Sequence, residues 1–190
     1  MARPRSEDKR SAILAAAVQV MAEQGESAPT AKIAKLAGVA EGTLFTYFSS
    51  KDELLNQLYL AIKADMGEVM LSTYPKKASV RTRAEHVWGK YVAWGVANPH
   101  KRKVMAQLTM SGRVNEPSKA SGSKAFADVQ VLLNESMANS SLRELPSNFV
   151  GAVMTTLAEV TIDFMTREPA DAERYAAAGF SAFWNAITKD

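Results

Sequence analysis

Apolar side chains recur three and four positions apart along almost the whole chain, the spacing that stacks residues on one face of an α-helix. The pattern predicts a first helix from Ser6, its cap, to about Gln24, with Ile13, Leu14, Ala17, Val20 and Met21 on the buried side and Gly25 as its stop. Thr30 reads as the cap of a short second helix in which Ile33, Ala34 and Ala37 share a face. Gly38 ends that helix, because glycine enters the left-handed conformation without the penalty a Cβ brings, and Val39 plugs the turn. A third helix, about Ala40 to Phe48, turns Leu44 and Phe48 inward and Gly42 and Thr46 outward, flanked by Thr43 and Phe45. Ser50 followed by Glu53 is a capping box, so a fourth helix starts at Lys51. It carries Leu55, Leu58, Tyr59, Ile62 and Met66 toward Tyr74, where Pro75 stops it.

Beyond the lysines and proline of 75–79, the best domain boundary, the pattern resumes with Val80, Ala84, Val87, Trp88, Tyr91, Val92 and Gly95. Asn98 and Pro99 open a further helix that begins His100, Lys101, Arg102, Lys103, a basic cluster read as a solvated helix start, with DNA contact as the other reading. Residues 111–123, rich in Ser, Gly and Lys, read as a mobile loop, and Phe126, Val129, Leu133 and Met137 as the next helix. Ser147 to Arg167 is apolar almost all round, and Pro169 separates it from a last helix running from about Asp171 to Lys189. The expectation is an all-α chain of about nine helices: a three-helix head with a helix-turn-helix over residues 1–50, a connecting helix over 51–74, and a larger helical ligand-binding and dimerisation domain over 75–190.

The outward face of the third helix is lean and uncharged. Glycine inside a helix costs about 1 kcal/mol against alanine, so Gly42 needs a reason: close approach of another surface such as a DNA groove, or a crowded helix-helix contact. Lys51 lies where free helix amides and the macrodipole favour an anion such as a DNA phosphate, the alternative being a solvated lysine. Arg3, Arg5, Lys9 and Arg10 form a basic segment suited to phosphates or a minor groove, or to nothing in particular.

Thr30, Ile33-Ala34, Ala37-Gly38-Val39, Gly42-Thr43-Leu44-Phe45, Tyr47-Phe48 and Lys51 closely resemble the helix-turn-helix of the tetracycline-repressor (TetR) family of bacterial transcription regulators, over about the first quarter of the chain. The resemblance implies base or phosphate contact by Thr30, Ala40, Gly42, Thr43, Phe45, Thr46, Tyr47 and Lys51, and dimerisation through the last two helices as a four-helix bundle. Phe45 stands where the family often has a tyrosine, Ala40 where it has a serine, and Glu41 places a carboxylate near the phosphate backbone. A dimer also follows from geometry: one short helix covers few base pairs, whereas two related by a twofold axis read half-sites about 34 to 36 Å apart in a near-palindrome. With no arginine on the reading face, discrimination falls to Thr43, Phe45, Thr46 and DNA shape. The interface residues expected are Val153, Leu157, Val160, Phe164, Ala176, Gly179, Phe180, Phe183 and Trp184, with an ordinary intrachain core as the competing reading.

Composition narrows the alternatives. The 190 residues are 47% hydrophobic, enough for a sizeable core, and the net charge of +3 permits nucleic acid without requiring it. Zero cysteines exclude disulfides, thiolate catalysis and thiolate metal sites and suit a reducing cytoplasm. The absence of an uninterrupted apolar run of about 18 residues predicts no membrane span. His86 and His100 lack partners at metal-ligand spacing and no nucleophile elbow or phosphate loop occurs, so the reading is a non-enzyme with no metal and no cofactor. Met66, Met70, Trp88, Tyr91, Trp94, Met105, Met110, Phe126 and Met154 are adaptable side chains for an effector pocket, or plain core. The function expected is a cytoplasmic homodimeric regulator, a repressor released from operator DNA by a small-molecule effector; the alternative is a protein-protein adaptor or other non-DNA regulatory module with the same head.

Overall fold

The structure, a computed structural model, describes residues 3–138 and 140–188; the side chains of residues 3–6, 141, 147 and 148 lie outside the described residues. The predicted roles of Arg3, Arg5, the Ser6 hydroxyl and Lys189 therefore lie outside it too. Among the described residues the chain is all-helical: α1 Arg3–Gln24, α2 Thr30–Leu36, α3 Glu41–Tyr47, α4 Lys51–Leu71, α5 Val80–Ala97, α6 Pro99–Met110, α7 Glu116–Lys124, α8 Ala127–Ser136, α9 Ser147–Arg167 and α10 Ala172–Thr188. Short 3-10 turns follow α1 and precede α9 and α10.

Two boundaries and one element differ from the sequence reading. The first helix begins at Arg3, so Ser6 lies within it instead of capping it. α4 stops at Leu71 because the residue before Pro75 is restricted to extended backbone, and Ser72 to Tyr74 form a turn in which Thr73 has a φ of 54°. The expected loop over 111–123 contains α7: Asn115 is its cap, accepting from the Ser118 amide at 2.8 Å, and a proline occupies its first turn. Ser, Gly and Lys hide the helix compositionally, but Asn-Glu-Pro is a helix-start signal.

The chain forms two compact units, Met1–Asp65 with Pro99–Ala125, and Met66–Asn98 with Phe126–Asp190. This grouping cuts across the linear division at Pro75. α6 packs on α1 with Val104 and Leu108 fully buried, a return of the chain that no boundary drawn along the sequence registers. In the first unit Ile13, Ala17 and Met21 of α1 join Ile33, Leu44, Phe48, Leu55 and Leu58 in one apolar core. The second unit is built on α5, α9 and α10. The Trp88 indole stacks on Phe183 at 5.7 Å and donates its Nε1–H to the Ala176 carbonyl at 2.9 Å. Gly95 lets α9 approach through Ile162, and Gly179 lets Thr161 and Trp88 press on the α10 backbone.

Among the described residues one helix segment, Phe149–Arg167, is long and apolar enough to cross a membrane by length and composition, with a mean hydropathy of 1.3 and 28% of it buried within the chain. The expectation of no span rests on uninterrupted apolar runs, and scattered polar residues break this one.

Candidate nucleic-acid interface

The turn between α2 and α3 is set by a few backbone bonds. Pro29, with φ −69° and ψ 134°, precedes the first helical residue, and its carbonyl accepts from the amides of Lys32 at 3.0 Å and Ile33 at 3.3 Å. Thr30 is therefore inside the helix and caps nothing, because proline's fixed φ already presets the chain for entering it. At the other end Gly38 has a φ of 69°. The Val39 amide bonds to the Ala34 carbonyl at 3.0 Å and the Gly38 amide to that of Lys35 at 3.2 Å, the paired bonds of a Schellman turn.

α3 hangs on Leu44, which is fully buried, with Phe48 just past its end equally enclosed. Ala40 precedes the helix in extended conformation without a side-chain cap, as an alanine must. Ala40, Gly42, Phe45 and Thr46 are exposed, Phe45 at 41%, while Thr43 and Tyr47 are half-buried. The Thr46 hydroxyl donates back to the Gly42 carbonyl at 3.1 Å, which commits its proton and leaves its oxygen as an acceptor and its methyl as an apolar contact group. A Cβ added at Gly42 meets nothing within 4 Å, so no helix-helix contact among the described residues explains this glycine.

α4 starts behind this face. The Ser50 hydroxyl accepts from the Glu53 amide at 3.1 Å, one half of the expected capping box. The reciprocal half is absent: the Glu53 carboxylate accepts from the Ser49 hydroxyl at 2.6 Å. Half-buried Lys51 donates from Nζ to the Ala28 carbonyl at 2.8 Å, strapping the start of α4 to the segment that leads into α2. Burial pushes its pKa down and Arg113 adds to this, with Asp52 and Glu26 acting the other way. Arg10 also turns inward, its guanidinium 5.5 Å from the centre of the Phe48 ring and bonded to Gln57 Oε1 at 2.6 Å, while Lys9 is exposed.

Two polar connections are invisible in the sequence. Thr30 donates its hydroxyl proton to Glu41 Oε1 at 2.5 Å, joining the first residues of α2 and α3. Asn56 is buried in α4, where its amide donates to the Asp52 carbonyl at 2.7 Å and the Arg113 carbonyl at 3.3 Å and its oxygen accepts from the Asn115 amide at 2.9 Å. A lone asparagine in a helix reads as surface; only the capping asparagine at 115 hints that a polar partner is needed nearby.

The other expected sites are distributed differently. Met105 and Met110 belong to the first unit, and Met110 is 87% exposed. Met66, Met70, Trp88, Trp94 and Met154 are buried in the second, with Tyr91 and Phe126 half-buried, so the nine do not surround one cavity. One cavity in that unit is an apolar slot of about 10 Å³, room for one water, walled by Ala84, Val87, Leu132, Leu133, Met154 and Phe183. Of the nine, Met154 lines it. Among the interface residues, Phe180 and Phe183 are 3% and 2% exposed and Gly179 is pressed by Thr161 and Trp88, so these three serve the intrachain core. Small and aromatic residues at helical spacing suit either use. Val160 at 54% and Phe164 at 37% remain exposed, with Val153, Leu157, Ala176 and Trp184 half-buried.

Residues 13–58 match the family model for bacterial regulatory proteins of the tetR family. A fatty acid metabolism regulator protein of Bacillus subtilis (strain 168) is 33% identical over 99 residues, a stretch covering 52% of this chain and 50% of that regulator, so the match spans half of the relative's length. A candidate TetR-family transcription regulator from Shewanella sp. PV-4 has the same fold with a TM-score of 0.84 and 28% identity, covering 96% of this chain and 99% of that one. A TetR-family transcription regulator from Marinobacter aquaeolei VT8 superposes with a TM-score of 0.86 at 20% identity, over 99% and 100% of the two chains. Residues 13–58 thus carry the helix-turn-helix region of the tetR family of bacterial regulatory proteins, on a chain whose fold matches that of TetR-family transcription regulators over nearly its whole length.

Proposed function

We propose that the chain binds a near-palindromic DNA operator as a homodimer and represses transcription until a small-molecule effector releases it. The observation that carries the reading is α3: a short helix held by a Schellman turn on one side and a capped helix on the other, offering Ala40, Gly42, Phe45 and Thr46 to solvent with no intrachain use for the glycine. Thr43 and Tyr47 flank that face, and Thr30 and Lys51 border it as phosphate neighbours, each already holding one intrachain hydrogen bond. Dimerisation through α9 and α10 is supported by the apolar side chains that α9 leaves exposed, Val160 and Phe164 among them. Val153, Leu157, Ala176 and Trp184 are the half-buried neighbours that a partner would finish covering. The effector site is the apolar slot beside Met154, which must open to admit a molecule larger than water. Opening supplies the second conformer that a ligand-driven population shift requires, and the coupling is reciprocal: operator weakens effector binding by the factor by which effector weakens operator binding.

Selection of binding sites from random duplex DNA tests the reading. A repeated near-palindrome with half-sites about one helical turn apart supports it. No enriched sequence would instead favour a protein-protein adaptor built on the same head.

A further inference from the structure

Every group that the reading face offers directly is neutral except one. Glu41, the first residue of α3, is exposed, takes part in no ion pair among the described residues, and has Oε1 occupied by the Thr30 hydroxyl while Oε2 accepts nothing from them. We propose that Glu41 is a specificity determinant that accepts a hydrogen bond from the exocyclic amine of a cytosine in the major groove, with Thr30 as the residue that positions it.

The inference rests on the DNA-binding reading and takes its force from electrostatics. A carboxylate brought against a duplex is repelled by the phosphates, so it lowers affinity for all sequences alike unless a base edge supplies a donor. Recognition helices address base edges with their N-terminal residues, which is where Glu41 stands. The donors in the major groove are the amines of cytosine and adenine, and adenine places the N7 acceptor beside its amine. An ionised carboxylate, which is acceptor only, meets attraction and repulsion together at adenine but a lone donor at cytosine. The Thr30 bond prearranges the choice: by holding Oε1 at 2.5 Å it restricts the flexible side chain, and Oε2 is left as the atom that reads. Thr30 thus serves specificity from α2, eleven positions away, without touching a base.

A purely structural brace between α2 and α3 is the competing role, and substitutions separate the two. Glu41→Gln keeps an acceptor for Thr30 but adds an amide donor, which suits adenine; Glu41→Ala removes both functions; Thr30→Val removes the positioning bond. Sites are selected from random duplex DNA with each protein, after a thermal melt confirms folding. The expected result is a cytosine at one symmetric position in each wild-type half-site, favoured about tenfold over other bases. That preference moves to adenine in Glu41→Gln, vanishes at that position alone in Glu41→Ala, and weakens in Thr30→Val. Both Glu41 variants should also bind unrelated DNA more tightly at low salt, because a like charge is gone. If the wild type selects a palindrome and the Glu41 variants select the same bases throughout, with a uniform loss of affinity, Glu41 is a brace and the proposal is wrong. If the wild type selects no palindrome, the DNA-binding reading itself fails.

Discussion

α3 and α10 both contain a glycine, and the two are there for opposite reasons. An added Cβ at Gly42 of α3 meets nothing within 4 Å, whereas at Gly179 of α10 it collides with the Thr161 hydroxyl and comes within 2.8 Å of the Trp88 ring. One glycine keeps an exposed surface lean; the other lets three helices close on each other. In the sequence they look alike, each set among apolar residues of a helical repeat. The difference lies in what the chain brings to them from far away: Trp88 and Thr161 are 91 and 18 residues from Gly179, and nothing local announces their arrival.

Filling Gly179 should produce the largest effect. Gly179→Ala forces a methyl against Thr161 and Trp88, a small-to-large change in a closed core that costs about 1–3 kcal/mol. In a domain of this size that lowers the melting temperature by roughly 2–4 °C per kcal/mol. A melt unchanged within about 1 °C, less than the smallest such shift, would mean that α10 shifts freely, and that the contrast between the two glycines is only geometric. Because the added methyl would meet Thr161 and Trp88 of the same chain, the loss should be the same at every protein concentration. A concentration-dependent loss would instead return Gly179 to a subunit interface.

The next effect is at Gly38. Its φ of 69° has no steric cost for glycine but penalises any residue with a Cβ, so Gly38→Ala should destabilise by about 1–2 kcal/mol although an added Cβ touches nothing. This substitution probes backbone conformation where Gly179→Ala probes space. Moving Gly38 from αL should also loosen the Schellman bonds that orient α3, seen as faster amide exchange at Val39. Protection at Val39 equal to wild type would show that the turn is held by α2 and α3 packing alone.

The same contrast explains which features are legible in the sequence. Gly38, Ser50 and the faces of α3 act through neighbours a few residues away, so spacing is enough to place them. Phe180 and Phe183 read as subunit-interface residues because large aromatics beside small residues serve interfaces and cores equally; Trp88, from a distant helix, decides for the core. Lys51 reads as a phosphate anchor from helix polarity alone, and its bond to the Ala28 carbonyl, 23 residues back, does not follow from that. α7 escapes the sequence reading for a different reason: its start signal is local, but its body, with three serines and a glycine, has low helix propensity and is held by tertiary contact, with Gly122 set against the Tyr59 ring.

Gly42→Ala should give the smallest change in stability and the opposite sign. Gly42 is the second residue of α3, its φ is not in the left-handed region, and space for a methyl is open. Alanine there restricts the unfolded chain more than the native one and should stabilise the protein by about 0.4–1 kcal/mol. If the glycine exists for close approach of DNA, the same methyl weakens operator binding even as the melting temperature rises, because it stands between the α3 backbone and the groove. A folded-state role alone predicts no such opposition of signs. Melting and operator titration of one purified variant therefore decide it: higher stability with undiminished DNA affinity would mean that DNA approach does not require a glycine on this face, and lower stability would show that the surface around α3 is less open than its surroundings in the folded chain indicate.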